Sequence, residues 1–93
     1  MDDEQLISRN RAEIDRIDGE LLGLLNRRAE YAREIGHVKR KNRLPIYVPD
    51  REHAVLTRLV GENQGPLSAE SIREVFQTIF DQMKKLESQA DSA

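Results

Sequence analysis

An all-α fold of one long helix and two shorter ones is what this 93-residue chain predicts, and three observations carry that reading. Charged residues make up 34% and aromatics 4%, with Leu, Ile, Glu and Arg prominent, a composition typical of helical proteins. No proline precedes Pro45, and within the opening stretch only Gly19, Gly23 and Gly36 weaken a helix, by about 1 kcal/mol each. Proline and glycine then mark two breaks, around Pro45–Pro49 and at Gly65-Pro66, which leave three helical segments.

The first helix is expected over about 5–42. Leu44-Pro45 and Val48-Pro49 bracket a loop over about 43–48, because a residue before proline is pushed out of the α region. Pro49 suits the first turn of a second helix over about 49–64, with Asp50 and Glu52 favourable near its positive end. That helix carries Val55, Leu56, Leu59 and Val60, and Gln64-Gly65-Pro66 reads as a glycine C-cap followed by proline. Ser68 fits the N-cap of a third helix over about 68–88, with Ile72, Phe76, Ile79, Met83 and Leu86 at steps of four and three. The small polar tail, 89–93, is expected to fray. Residues 1–93 read as a single domain without repeats or low-complexity segments.

Composition excludes several classes of function. Net charge is −2, so nothing draws the chain as a whole toward nucleic acid. Without cysteine there is neither a disulfide framework nor a thiolate metal site, and two unpaired histidines, His37 and His53, supply too few ligands for a metal. No apolar run approaches the roughly 18 residues of a membrane span, and M-D-D-E-Q is too acidic and polar for a signal peptide. A soluble cytoplasmic protein with no membrane association, metal or cofactor is expected.

Stepping by three and four along the first helix gives Arg11, Ile14, Asp18, Leu21, Leu25, Arg28, Ala32, Ile35 and Lys39, which share one face. Three cations thus fall on the seam where aliphatic residues belong, whereas a solvated helix places its charges opposite. Cations held against apolar neighbours need anionic partners, and a bound anion is one source. A first helix of roughly 36 residues spans about 54 Å, against about 25–33 Å for the other two, so two short helices cannot cover it. A dimer built along the first helix is the simplest solution. Arg28 and Lys39 lie roughly 16 Å apart along the axis, within reach of one small anion, whereas Arg11 lies roughly 25 Å from Arg28. Antiparallel pairing that crosses near Leu21 and Leu25 would bring Arg11 of one chain to the Arg28–Lys39 stretch of the other, giving two shared sites.

Arginine forks match carboxylates at two points and stay charged when desolvated, so the convergence suggests a ligand with more than one carboxylate. The run P-I-Y-V-P-D-R-E adds Arg51 and Glu52, and Phe76, Phe80, Met83 and Glu87 share one face of the third helix. No nucleophile with an adjacent base is recognisable, which leaves binding and electrostatics as the available catalysis. Tyr31 and Tyr47 read as packing residues and the histidines as surface residues. Each charged residue also has a plain alternative. Arg11, Arg51, Glu52 and Glu87 could be solvated, Arg28 could snorkel or pair with Glu52, and Lys39 could serve the helix dipole.

The segment I-D-R-I-D-G-E-L-L-G-L-L-N-R-R-A-E-Y-A-R-E-I-G-H-V-K, the run L-P-I-Y-V-P-D-R-E and the ending I-R-E-V-F-Q-T-I-F resemble the all-helical chorismate mutases, over about Leu6 to Glu87. The resemblance implies an intertwined homodimer of three-helix chains that converts chorismate to prephenate on the way to phenylalanine and tyrosine. It implies a pericyclic rearrangement with no cofactor and no covalent intermediate. Residue by residue it assigns Arg28 to a substrate carboxylate in its own chain and Arg11 to a carboxylate in the partner's site. Lys39 corresponds to the cation on the breaking ether oxygen and a carboxylate, Arg51 to the carboxylate end, and Glu52 to the acceptor for the ring hydroxyl. Glu87 stands where many members have glutamine, donating a second hydrogen bond to the ether oxygen. Val48 stands where some members have aspartate, and Met83 where serine or another polar residue is common, so each removes a possible polar contact to the substrate.

Three other readings compete. An isochorismate pyruvate-lyase shares the scaffold and its cations. A non-catalytic helical dimerisation or regulatory module explains the seam but not its charges. A DNA-binding helical dimer lacks a basic face. Related mutases also occur fused to, or associated with, other enzymes of the aromatic pathway.

Overall fold

The computed structural model describes residues 1–89. It contains three helices: α1 (Asp3–Lys41), α2 (Pro49–Glu62) and α3 (Ala69–Ser88). No helix among the described residues is long and apolar enough to cross a membrane. Of the tail expected to fray, only Gln89 is described, and its N–H closes α3 on the Leu86 carbonyl at 3.2 Å; residues 90–93 lie outside the described residues.

Local chemistry accounts for each helix boundary. Asp2 and Gln5 form a reciprocal capping box at the start of α1: Asp2 Oδ1 accepts from the Gln5 N–H at 2.8 Å, and Gln5 Oε1 from the Asp2 N–H at 3.0 Å. The far end closes with Arg43 in the left-handed region, φ 56°. The Leu44 N–H reaches the Lys39 carbonyl at 2.8 Å and the Arg43 N–H the Arg40 carbonyl at 3.3 Å, the paired bonds of a Schellman motif. Pro49 opens α2 behind Val48, which has no side-chain oxygen to cap it. Its end differs from expectation: α2 stops at Glu62, two residues short of Gln64. Asn63 turns extended, donates from Nδ2 to the Leu67 carbonyl at 2.7 Å and accepts from the Gly65 N–H at 3.0 Å. The asparagine therefore ends the helix, and Gly65, at φ 82°, serves the turn that follows. Ser68 caps α3 as expected, accepting from the Ser71 N–H at 3.0 Å.

Two compact units divide the chain, Met1–Glu30 and a second beginning at Tyr31. The first is helix alone. Its large aliphatic side chains from Leu6 to Leu25 are 38–60% exposed, and only Arg28 and Ala29 reach intermediate burial. A helix that leaves this much aliphatic surface exposed draws little stability from burial, and taken by itself it is marginal in water. The second unit holds the core. Ala32, Val55, Phe80 and Met83 are its buried apolar residues, and the rings of Phe76 and Phe80 meet tilted at 54°, with centroids 6.3 Å apart. Tyr31 and Tyr47 do not join it. They are 63% and 57% exposed, contrary to their reading as packing residues.

Candidate active site

Lys39 and Glu87 meet in the second unit. The Lys39 ammonium stands 3.3 Å from Glu87 Oε1 and donates to the Ile46 carbonyl at 3.2 Å. The last turn of α1, the loop and the end of α3 therefore converge on one cation. Glu87 is 8% exposed, which disposes of its reading as a solvated residue near the chain end. Burial is possible because the carboxylate has its cation, as an unpaired buried charge would be expensive. Arg40 also donates to the Glu87 backbone carbonyl and holds the last turn of α3 against α1.

Gly36 permits this approach. A Cβ at that position would lie 2.6 Å from Glu87 Cα and 2.8 Å from its carbonyl oxygen, inside any real contact distance. The sequence marked Gly36 only as a tolerable weak point in a helix. Its actual role is to let two backbones close until Lys39 can reach Glu87.

A second polar cluster is built around Glu52. Lys84 Nζ lies 2.9 Å from Glu52 Oε2, and Gln77 Nε2 donates to Glu52 Oε1 at 3.2 Å. The same ammonium sits 3.3 Å from Asp81 Oδ1 and 4.4 Å from the centre of the Tyr47 ring, a cation–π distance. The hydrogen bond to Glu52 holds the Lys84 ammonium above the usual lysine value, with Asp81 adding and desolvation opposing. Asp81 is lowered, first by the hydrogen bond from Gln77 and then by Lys84. Sequence reasoning named Glu52 but missed Lys84 and Gln77, whose shared partner lies on another helix, far away in sequence. An open depression beside this cluster is lined by Asp81, Lys84, Lys85, Ser88 and Gln89.

The remaining candidates are placed as follows. Val48 is half-buried at the N-cap of α2, and Met83 is buried at 8% exposure. Arg51 is exposed in the first turn of α2. Arg11, exposed, and Arg28, half-buried, belong to the Met1–Glu30 unit. The structure thus joins Lys39 to Glu87, and Glu52 to a lysine that sequence reasoning did not name.

Fold and site define an all-helical protein with a shielded lysine–glutamate pair held where two helices and a loop converge. A family model for chorismate mutase type II matches residues 10–88, and the chain belongs to that family. It is 39% identical over 84 residues to the bifunctional chorismate mutase/prephenate dehydratase of Neisseria gonorrhoeae, covering 90% of this chain and 23% of that protein. The corresponding Aquifex aeolicus protein is 40% identical, over 83% of this chain and 22% of its own length. The chain therefore spans about a quarter of the length of these curated relatives. Among solved structures, form II of the chorismate mutase from Thermus thermophilus superposes with a TM-score of 0.88 at 40% identity, covering 92% of this chain and 98% of that one. The Helicobacter pylori chorismate mutase in complex with prephenate gives 0.82 at 35% identity, covering 89% and 90%.

Proposed function

We propose that the chain is a cytoplasmic chorismate mutase that rearranges chorismate to prephenate without a cofactor, its residues 1–93 acting as one mutase domain. The observation that carries this reading is the meeting of Lys39 with Glu87 on a shielded surface. As the C–O bond of chorismate stretches ahead of C–C closure, negative charge grows on the ether oxygen. A fixed ammonium at that oxygen binds the transition state more tightly than the substrate, the condition for raising the rate. Charged clamps on the two carboxylates hold the enolpyruvyl arm over the ring in a reactive geometry. Arg28 takes one carboxylate, Arg51 helps fix that end, and Glu52 accepts from the ring hydroxyl. Val48 and Met83 line the site without polar contact.

The reading requires a second copy of the chain. In an intertwined homodimer each aliphatic side chain covered along Met1–Glu30 gains about 1 kcal/mol, since roughly half its surface is still exposed. Arg11 then enters the partner's site and two shared sites result. The kinship with longer bifunctional enzymes fits association with other enzymes of the aromatic pathway.

The deciding assay follows chorismate absorbance with purified protein, in parallel with isochorismate. Chorismate is consumed and prephenate appears. Pyruvate release from isochorismate outpacing that reaction would instead make the protein an isochorismate pyruvate-lyase, and turnover of neither would leave a non-catalytic module.

Glu87 supplies a second test. In the free chain it accepts from Lys39, whereas donation to the ether oxygen needs a hydrogen on the side chain. Glu87→Gln, a permanent donor of nearly the same shape, should therefore keep or raise kcat for chorismate. A fall of more than about tenfold in the Gln variant, the scale of a lost catalytic contact, would remove Glu87 from the donor role.

A further inference from the structure

We infer that Lys84 is a positioning residue: it holds the Glu52 carboxylate in the orientation that receives the substrate's ring hydroxyl. The inference rests on the mutase reading and extends it to a residue outside the sequence-derived site.

Glu52 stands in the first turn of α2, where nothing in its own helix fixes its side chain. Two donors from α3 do so, each on a different oxygen: Lys84 on Oε2 at 2.9 Å and Gln77 on Oε1 at 3.2 Å. Each carboxylate oxygen has two lone pairs, so both retain capacity for one more donor. The glutamate is thereby fixed but not saturated, the condition for accepting a hydroxyl at defined geometry. Side-chain exposure of 16% for Glu52 and 25% for Lys84 keeps water from competing freely for the pair. Lys84 is itself held from two further directions, by Asp81 at 3.3 Å and by the Tyr47 ring at 4.4 Å. Asp81 lies one turn earlier in α3 and Tyr47 lies in the loop that delivers the Ile46 carbonyl to Lys39. One ammonium thus links the loop, the start of α2 and the middle of α3. Nothing in this geometry requires Lys84 to touch substrate. Its action runs through Glu52.

A double-mutant cycle on the full chain separates that action from a direct or merely structural one. Lys84→Met keeps the length of the side chain and removes the charge. We expect kcat/KM for chorismate to fall about tenfold, the scale of a displaced positioning contact. In the Glu52→Ala background the same substitution should change kcat/KM by less than about twofold, because the group it orients is gone. Lys84→Arg should restore most of the loss. Gln77→Leu, which removes the other donor, should show a smaller loss that also disappears in Glu52→Ala; it replaces Lys84→Met in the cycle if that variant does not fold. A loss of equal size in both backgrounds would mean that the cation acts on substrate or on the fold, and would overturn the proposal. So would full activity in Lys84→Met. Wild-type protein inactive on chorismate would overturn the mutase reading itself, and this role with it.

Discussion

Lys39→Ala lowers kcat for chorismate by about 10²–10³-fold, the usual cost of removing a donor aimed at charge that develops in the transition state. The loss falls on kcat more than on KM, because the proposed arginine clamps would still hold the ground state. Two features of the free chain make the lysine suited to this work. Its ammonium is already fixed by the Ile46 carbonyl and Glu87, so little reorganisation accompanies the reaction. Its side chain is only 20% exposed, which strengthens its field relative to a solvated lysine. The variant also leaves Glu87 at 8% exposure without its cation, so a moderate fall in stability accompanies the kinetic one. Thermal unfolding of Lys39→Ala alongside Lys39→Ala/Glu87→Gln separates the two, since the double variant removes the orphaned charge without restoring the catalytic cation. A loss of less than tenfold in kcat would show that Lys39 is a structural partner of Glu87 and that the ether oxygen finds its donor elsewhere.

Arg11→Ala and Arg28→Ala chains should each be almost inactive alone and recover activity when unfolded together and refolded as a mixture. In the proposed dimer one site draws Arg28 from its own chain and Arg11 from the other. A heterodimer of the two variants carries one intact site and one that lacks both arginines. Random pairing makes half the dimers heterodimers, so the mixture should reach about one quarter of wild-type activity. The physical basis is the state of Met1–Glu30, a helix whose aliphatic side chains from Leu6 to Leu25 are left 38–60% exposed in a single chain. Two silent parents that stay silent together, while gel filtration shows that they have exchanged partners, would place both arginines in the same subunit's site or in none.

Much of the architecture could be read before any coordinates. Proline in the first turn of α2, the serine cap of α3 and the apolar steps of both helices act through nearest neighbours, and such signals survive in a bare sequence. The ends of α1 and α2 were harder. Arg43 takes a backbone conformation ordinarily left to glycine, and Asn63 stops its helix with side-chain hydrogen bonds while a more conspicuous Gly-Pro pair sits just beyond. Within the site, Lys39 and Glu87 were each legible on a helix face, but the burial of Glu87 depended on how closely α1 and α3 pack. Lys84 was invisible for a different reason. Its partners, Glu52 and Tyr47, lie 32 and 37 positions earlier, so only the folded chain brings the three together. The arginines of the first unit were conspicuous because they interrupt an aliphatic face, a pattern that local periodicity exposes.

The missing side chain at Gly36 has a consequence for anyone who wishes to retune this protein. It works as a shim of zero thickness between α1 and α3, at the level of the last turn of α3. Inserting even one methyl group there would back Glu87 away and widen the gap to the ammonium without altering either charged residue. Position 36 is thus a dial for the strength of the ion pair, and through it for how firmly the buried carboxylate is held.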